Sequence, residues 1–166
     1  MATGPRYTVK LRRRNQGKTN YHTRLALLKS GEHRLVIRKT NKYITCQIVD
    51  YNQNGDKIIA SAHSMKLIKM GWKHNTRNIP AAYLTGYALG KAAIKAKTKT
   101  AIVDMGLYTS TKGSVLYAAL KGAVEAGMNI PHNPENPLGR ACTPIYPIYP
   151  ICTWFCSDNT RKMSNE

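Results

Sequence analysis

Apolar and polar side chains alternate between Tyr43 and Tyr51, and this pattern restricts the fold more than any other feature of the chain. Ile44, Cys46 and Ile48 would lie on one side of an extended segment, with the intervening residues on the other side. A period of two residues is typical of a β-strand that turns one face towards a core. The segment therefore predicts a strand and argues against a helix at this point.

A β-rich run lies on each side of this segment, separated from it by polar turn residues. Residues 34–38 (RLVIR) precede it, and residues 57–62 (KIIASA) follow it. The intervening residues 40–42 (TNK) and 52–56 (NQNGD) are typical of tight turns, and Gly55 permits a positive φ. Together these runs predict three consecutive antiparallel strands, which form a meander.

Helical patterns and one further buried strand follow the meander. In chain order we expect a short helix over 64–70, a long helix over 80–97, a strand over 100–105, a helix over 113–127 and a short strand over 130–133. Ser64 is placed to cap the first helix, and Pro80 suits the first turn of the second. This order predicts an α/β fold, with a mixed sheet (an antiparallel meander plus a further strand) covered by helices.

Small residues recur along the long helix, at Ala82, Gly86, Gly90 and Ala93. Residues at this spacing share one face of a helix. Because small side chains let two backbones approach closely, we expect this face to lie close against the sheet.

The first 31 residues carry eight Lys or Arg and no acidic residue, and the whole chain has a formal net charge of +18. This excess favours a polyanionic partner, and nucleic acid fits best. A membrane fits less well, because no apolar run approaches the roughly 20 residues that a bilayer span requires. The N-terminus also lacks the apolar segment of a secretion signal. We therefore expect a cytoplasmic protein with a basic, extended N-terminal arm that is ordered mainly by its partner.

Composition divides the chain into three expected regions: a basic RNA-binding arm at 1–33, an α/β globular domain at 34–138 and an irregular Pro/Cys/Tyr-rich tail at 139–166. Cys142, Cys152 and Cys156 lie in the tail, so the four cysteines do not form a disulfide framework across the fold. A zinc site is not favoured, because zinc sites usually have two tight ligand pairs and only one loose pair is present. We expect neither a metal nor another cofactor.

Short motifs from Met1 to about Gly139 resemble those of one family, in the same order. They are GPRY at 4–7, RRR at 12–14, GKTNY at 17–21, TNK at 40–42, SAH at 61–63, AAYLTG at 81–86, LKGAV at 120–124 and IPH at 130–132. The chain resembles the archaeal and eukaryotic branch of the large-subunit ribosomal protein family L-eighteen, called L-five in eukaryotes, which binds 5S rRNA. After Gly139 the chain departs from the family pattern, which continues into a more acidic, helical region.

The resemblance implies a ribonuclease-H-like domain that is not an enzyme. It implies a structural constituent of the large ribosomal subunit, which binds 5S rRNA and helps to dock it in the central protuberance. The implied partners are 5S rRNA, large-subunit rRNA and neighbouring ribosomal proteins, with no membrane and no small-molecule substrate.

Both the residue types and the resemblance point to an RNA-binding surface. Arginine binds phosphate or stacks on bases, tyrosine stacks on unpaired bases, and short polar side chains in turns reach phosphates. The expected RNA-binding residues of the arm are Arg6, Tyr7, Lys10, Arg12, Arg13, Arg14, Lys18, Asn20, Tyr21 and Arg24. Those of the body are Arg38, Lys39, Thr40, Asn41, Lys42, His63, Ser64, Thr109, Thr111 and Lys112.

Interpretations without RNA contact also stay open for several of these residues and loops. The arm can be a solvated basic tail, and the loop over 72–78 can cover the core instead of stacking on RNA. His63 can cap local structure, and a role as general base is the least favoured. The loop over 108–113 precedes a helix N-terminus, which suits an anion, but it lacks the glycine spacing of a nucleotide-binding loop.

Two other functions compete with the ribosomal one. A general basic nucleic-acid-binding protein, such as a chromatin protein, has the same charge but needs no preference for 5S rRNA. A metal-dependent nuclease needs clustered carboxylates, and the acidic residues of the body are few and scattered: Asp50, Asp56, Asp104 and Glu125. Asp104, in the predicted buried strand, is the residue with which to test the nuclease hypothesis.

Overall fold

The computed structural model describes Gly4 and residues 8–132. Its elements in chain order are α1 (Arg12–Asn15), α2 (Tyr21–Leu28), β1 (Arg34–Lys39), β2 (Ile44–Asp50), β3 (Lys57–His63), α3 (Met65–Lys69), α4 (Ile79–Lys95), β4 (Ile102–Asp104) and α5 (Val115–Glu125). Arg6, Tyr7 and the tail with its three cysteines lie outside the described residues. Each helix within residues 8–132 is too short or too polar to cross a membrane.

The sheet has four strands, in the order β3-β2-β1-β4. β1 pairs with β2 and β2 pairs with β3, both antiparallel, so the predicted meander is confirmed. β4 pairs in parallel with β1, and Val36 lies opposite Asp104. A parallel pair needs a long crossover, and α4 lies within the connection that precedes β4. The predicted mixed sheet, an antiparallel meander plus one further strand, is therefore confirmed.

One face of the sheet forms the main core with α4 and α5. The buried strand residues on this face are Leu35, Ile37, Ile44, Cys46, Ile48, Ala60 and Ala62. They pack with Leu89 of α4 and with Leu116 and Leu120 of α5. Burial raises the pKa of the Cys46 thiol to about 12, so it stays protonated at neutral pH and packs as a small apolar group. The predicted alternation along β2 therefore identified its core side.

The opposite side of the sheet is more polar, and we call it the open face. The side chains that alternate with the core residues there include Arg34, Val36, Arg38, Thr45, Gln47, Ser61, His63 and Asp104. The strand register aligns Arg38, Thr45 and His63 in one row across three strands. The open face thus carries two of the predicted RNA-binding residues, Arg38 and His63.

The small residues of α4 serve a different contact from the predicted one. A Cβ atom at Gly86 would overlap the backbone of Ala119 in α5, and a Cβ atom at Gly122 of α5 would overlap the backbone of Tyr83. Gly90 faces Ala126, which directly follows α5. The expectation that Gly86 and Gly90 lie against the sheet was therefore wrong, because these glycines let α4 and α5 touch backbone to backbone.

Local structure differs from the expectations at two other points. Ser64 precedes α3, but its hydroxyl makes no capping bond and instead accepts the Ile44 N–H, at 3.0 Å. The predicted last strand is reduced to a single bridge between Thr100 and Asn129 in the described residues. In the arm, α1 and α2 form although neither has a buried residue.

Candidate nucleic-acid interface

The strands place the predicted site residues at two ends of the sheet. β1, β3 and β4 end, and β2 begins, at what we call the loop end, which is marked by Lys39 and His63. At the opposite end, the arm end, β1 begins with Arg34 and the turn before β3 contains Asp56. β1 has six residues, so the two ends are about 17 Å apart at about 3.3 Å per residue.

A tight turn between β1 and β2 forms the first part of the loop end. The Thr40 N–H donates to the Tyr43 carbonyl oxygen at 2.8 Å, and the Tyr43 N–H donates to the Thr40 hydroxyl at 3.0 Å. The Thr76 hydroxyl also anchors the turn by donating to the Lys42 carbonyl oxygen at 2.7 Å. Asn41 and Lys42 are thereby exposed on a well-anchored backbone.

A second loop reaches the same end of the sheet through Tyr108. Its hydroxyl donates to the Lys39 carbonyl oxygen, and the Lys39 Nζ lies 5.2 Å from the centre of the Tyr108 ring. The exposed residues that follow Tyr108, which include Thr109, Thr111 and Lys112, therefore extend from the loop end as well. We call the resulting surface the loop-end patch; its residues are Lys39, Thr40, Asn41, Lys42, Thr109, Thr111 and Lys112.

Arg38 borders this patch, but its guanidinium already has partners. It donates to the Asp104 carboxylate at 2.9 Å, to the Asp104 carbonyl oxygen at 2.6 Å and to the Ile37 carbonyl oxygen at 2.9 Å. Its side chain is 39% exposed. These bonds therefore hold Arg38 in place, while part of its side chain stays accessible to a phosphate.

Asp104 is committed to structural contacts. It accepts from Arg38 and from the Gly106 N–H, and it lies 3.7 Å from an Arg34 guanidinium nitrogen. In the part of the chain that the structure describes, no group of three or more His, Cys, Asp or Glu residues could hold a metal ion. Asp104 thus neutralises two arginines and belongs to no such group.

His63, Ser64 and Trp72 differ in their access to a ligand. His63 is half-buried on the open face, where its Nδ1 accepts the Met65 N–H at 3.1 Å and its ring lies 5.3 Å from the Tyr43 ring. Ser64 is buried, so its hydroxyl does not reach the surface. Trp72 is also buried, with Leu67, Ala81 and Leu84, and therefore covers the core instead of presenting a ring for stacking.

The arm carries its positive charge on exposed side chains. Lys10, the three arginines 12–14 of α1 and Lys18 are all exposed. Within the described residues, none of these five has an acidic partner; Arg13 donates from Nε to the Thr19 hydroxyl at 2.9 Å. Asn20 caps α2, because its Oδ1 accepts the His22 and Thr23 N–H groups, and Tyr21 is half-buried. The arm can therefore bind phosphates without first breaking an ion pair.

Arg24 differs from the other arm residues, because it is paired to the body. Its Nη2 lies 2.9 Å from both carboxylate oxygens of Asp56. Arg34, whose side chain is 3% exposed, lies 2.9 Å from the same carboxylate. Partial burial alone would raise the pKa of Asp56, but the ion pair with Arg34 and the hydrogen-bonded ion pair with Arg24 outweigh it and lower the pKa below its ordinary value.

Sequence reasoning missed the residues that organise this surface. Tyr108, Thr76 and Asp56 each join segments that are far apart in the chain, and no local pattern marks such a contact. The nearest signal was Asp56 itself, as one of few acids in a basic chain, but it was assigned to a turn. The predicted arm residues and the predicted turn residues were identified from composition and spacing, and the structure places Arg24 of the arm and the turn over 40–42 at opposite ends of β1.

Known proteins match most of this chain. A family model described as "Ribosomal large subunit proteins 60S L5, and 50S L18" matches residues 5–100 and 94–133. The large ribosomal subunit protein uL18 of Korarchaeum cryptofilum is 53% identical over 135 residues, which are 81% of this chain and 69% of that protein. The uL18 of Halobacterium salinarum is 52% identical over 133 residues, 80% and 73% of the two chains. That of Haloarcula marismortui is 50% identical over 135 residues, 81% and 72%.

Proposed function

The chain belongs to the family of large ribosomal subunit proteins L5 and L18, and from this premise we propose that it binds 5S rRNA and helps to dock that RNA in the central protuberance. The family makes it a structural constituent of the large ribosomal subunit. The further partners we propose are large-subunit rRNA and the ribosomal proteins beside it. In this role the protein is bound to cytoplasmic ribosomes and catalyses no reaction.

The observation that carries this proposal is the exposed charge of the arm within the matched range. Arg12, Arg13 and Arg14 are exposed, and the family match begins at residue 5. Exposed arginines without acidic partners among the described residues bind phosphates at little cost, and releasing condensed counterions drives the association. The arm is thus suited to track an RNA backbone.

We assign different roles to the other expected residues. Lys10 and Lys18 add phosphate contacts in the arm, and the loop-end patch supplies a second contact surface. Specificity for 5S rRNA would come from RNA shape and from unpaired bases that stack on Tyr or Arg side chains. Arg6 and Tyr7 keep this role as a proposal from the sequence alone. Ser64, which is buried, and Asn20, whose oxygen caps α2, are proposed to support the surface instead of contacting RNA.

We also propose the three-part organisation expected from composition. Residues 1–33 form the RNA-binding arm and residues 34–138 form the α/β domain. No RNA contact is proposed for the tail over 139–166, because the family match ends at residue 133.

A titration of the full-length protein tests this proposal. The probes are 5S rRNA and a duplex DNA of the same length, each at two salt concentrations. A first variant replaces Arg12, Arg13 and Arg14 with Gln. A control variant replaces Lys95, Lys97 and Lys99, which are exposed at the end of α4, with Gln, so that both variants lose the same charge.

We expect 5S rRNA to be preferred at the higher salt, and the arm variant to lose far more affinity than the control. Each lost phosphate contact should also reduce the salt slope by about 0.7 to 0.9. Equal and steeply salt-dependent binding to both nucleic acids would replace the proposal with a general polyanion-binding function. An equal loss in both variants would show that net charge, and not the arm, determines binding.

A further inference from the structure

Asp56 puts a negative charge beside the RNA-binding arm, where a negative charge should oppose RNA binding. Its carboxylate lies 2.9 Å from Arg24 and 2.9 Å from Arg34, and it therefore cancels positive charge at the arm end. Coulomb repulsion predicts that such a carboxylate lowers the affinity for any polyanion. If Asp56 favours RNA binding, it must do so through the positions of the two arginines.

The two arginines belong to parts of the protein that are held very differently. Arg34 begins β1, which is paired on both sides by β2 and β4, and its side chain is 3% exposed. Arg24 lies in α2, a helix with no buried residue. The position of Arg34 is therefore fixed by the sheet, whereas little apolar packing holds α2 in place. The Asp56 carboxylate ties this weakly packed helix to a fixed point of the sheet.

The tie continues along the open face towards the loop end. Beyond Arg34, the Asp104 carboxylate lies 3.7 Å from Arg34 and 2.9 Å from Arg38. Carboxylates and guanidinium groups thus alternate from Arg24 of the arm to Arg38, which borders the loop-end patch. Charges that alternate at these distances fix one another's orientation.

We propose that Asp56 is a positioning residue for RNA binding, which holds α2 at the arm end so that the arm and the loop-end patch meet one RNA in a fixed arrangement. This inference rests on the proposed function, because it concerns the same RNA-binding surface. An arm that is tied down before binding loses less conformational freedom when RNA orders it. The carboxylate is ionised at neutral pH, as the tie requires, and the two arginines lower the pKa of Asp56 further.

The test compares Asp56→Asn with Asp50→Asn in the full-length protein. Both substitutions remove one negative charge, but the Asp50 side chain is 52% exposed, and its carboxylate lies 3.5 Å from Nδ1 of His33 and not against an arginine. Each protein is titrated with 5S rRNA and with a duplex RNA of the same length. Amide hydrogen exchange of α2, α4 and α5 is measured without RNA, and Asp56→Glu serves as the conservative variant.

Asp50→Asn should bind both RNAs as tightly as the unmodified protein, or slightly more tightly. Asp56→Asn should raise the Kd for 5S rRNA by roughly five- to tenfold, because fewer molecules hold the arm in the binding orientation. Its affinity for the duplex should stay equal or rise, since the change adds net positive charge. Exchange should accelerate in α2 and stay unchanged in α4 and α5, and Asp56→Glu should recover most of the 5S affinity.

Three results would overturn the positioning role. In the first, Asp56→Asn matches Asp50→Asn in Kd and in α2 exchange. In the second, α2 exchange of Asp56→Asn accelerates with no loss of 5S affinity. In the third, α4 and α5 exchange faster and both RNAs bind less well, as general destabilisation predicts. A separate result bears on the proposed function: an unmodified protein that does not prefer 5S rRNA over the duplex. In that case the 5S Kd and the α2 exchange of Asp56→Asn, each compared with those of Asp50→Asn, still decide whether Asp56 positions the arm.

Discussion

Tyr108 donates a hydrogen bond from its hydroxyl to the backbone carbonyl oxygen of Lys39, with 2.5 Å between the two oxygen atoms. Sixty-nine positions separate the two residues in the chain, so the bond joins the loop after β4 to the end of β1. The Lys39 ammonium group lies over the same ring. The two halves of the loop-end patch are therefore held together by one aromatic side chain.

Replacing Tyr108 with Phe should loosen this junction. The substitution keeps the ring but removes the donor to a half-buried carbonyl oxygen, which costs about 1 kcal/mol of unfolding free energy. Because the junction lies within the loop-end patch, we also expect a modest increase in the Kd for 5S rRNA. Urea unfolding and an RNA titration measure the two effects.

Tyr51→Phe provides the matched control, since Tyr51 is 52% exposed in the turn after β2. It should leave both stability and RNA binding unchanged. Equal stability of the two variants would show that the Tyr108 hydroxyl contributes nothing to the junction.

The contact between α4 and α5 leads to a prediction about stability alone. Gly86→Ala should destabilise the protein by about 3 kcal/mol or more, because its Cβ atom would overlap the Ala119 backbone and the two helices would have to separate. Gly90→Ala should cost less, because the atom its Cβ meets most closely is the Ala126 methyl group. Urea unfolding midpoints of the two variants measure this difference.

The decisive result is the order of stability of the two variants, in which we expect Gly86→Ala to be the less stable. In an isolated helix both substitutions would be favourable by about 1 kcal/mol, because alanine has the higher helix propensity. Unchanged or increased stability of Gly86→Ala would therefore show that α4 and α5 do not approach as closely as described.

The sequence predicted those features that depend on neighbours along the chain. The alternation of Ile44, Cys46 and Ile48 identified a strand and its core side, and turn residues located the meander. The small residues of α4 were recognised, but their partner was not, because nothing in the local pattern distinguishes a neighbouring helix from a sheet. A further strand beside the meander was predicted from its apolar run, since a buried strand needs a neighbour on the sheet, but its parallel pairing with β1 was not predicted.

The candidate site was predictable only in its composition. Charge and turn chemistry identified the exposed residues, such as Arg12 and Lys42, that the structure displays at the surface. The contacts of Arg38 with Asp104 and of Arg24 with Asp56 span 66 and 32 positions, and only the folded sheet brings these groups together. Ser64 was misplaced for a related reason, because a hydroxyl can bond either to its own helix or to an adjacent strand.

Asp104 should matter for stability and not for catalysis. Asp104→Asn would weaken the ion pairs to Arg38 and to Arg34, whose side chain is 3% exposed. Because Arg38 would lose its anionic partner and the buried Arg34 would keep only Asp56, we expect a loss of about 2 to 4 kcal/mol in unfolding free energy. Thermal or urea unfolding measures this loss, with Asp50→Asn as the control for an exposed aspartate.

The same variant tests the nuclease hypothesis directly. Neither the unmodified protein nor Asp104→Asn should cleave RNA when Mg²⁺ is added, because Asp104 is paired with two arginines and belongs to no group of three or more possible metal ligands among residues 8–132. Cleavage that requires Mg²⁺ and disappears in Asp104→Asn would establish the nuclease function instead.

The ion pairs of Asp56 should make stability depend on pH in a defined direction. The folded protein holds the pKa of Asp56 below its ordinary value, so the carboxylate releases its proton more readily in the folded state than in the unfolded chain. The resulting stabilisation is fully present above the unfolded pKa, about 3.9, and is lost as the pH falls through the lower folded pKa.

The variant Asp56→Asn has no carboxyl group at this position and therefore lacks this titration. The difference in unfolding free energy between the unmodified protein and Asp56→Asn should therefore be constant near neutral pH and should shrink below about pH 4. Urea unfolding at several pH values measures it, and a difference that stays constant down to pH 2 would show that Asp56 is not stabilised as an anion by Arg24 and Arg34.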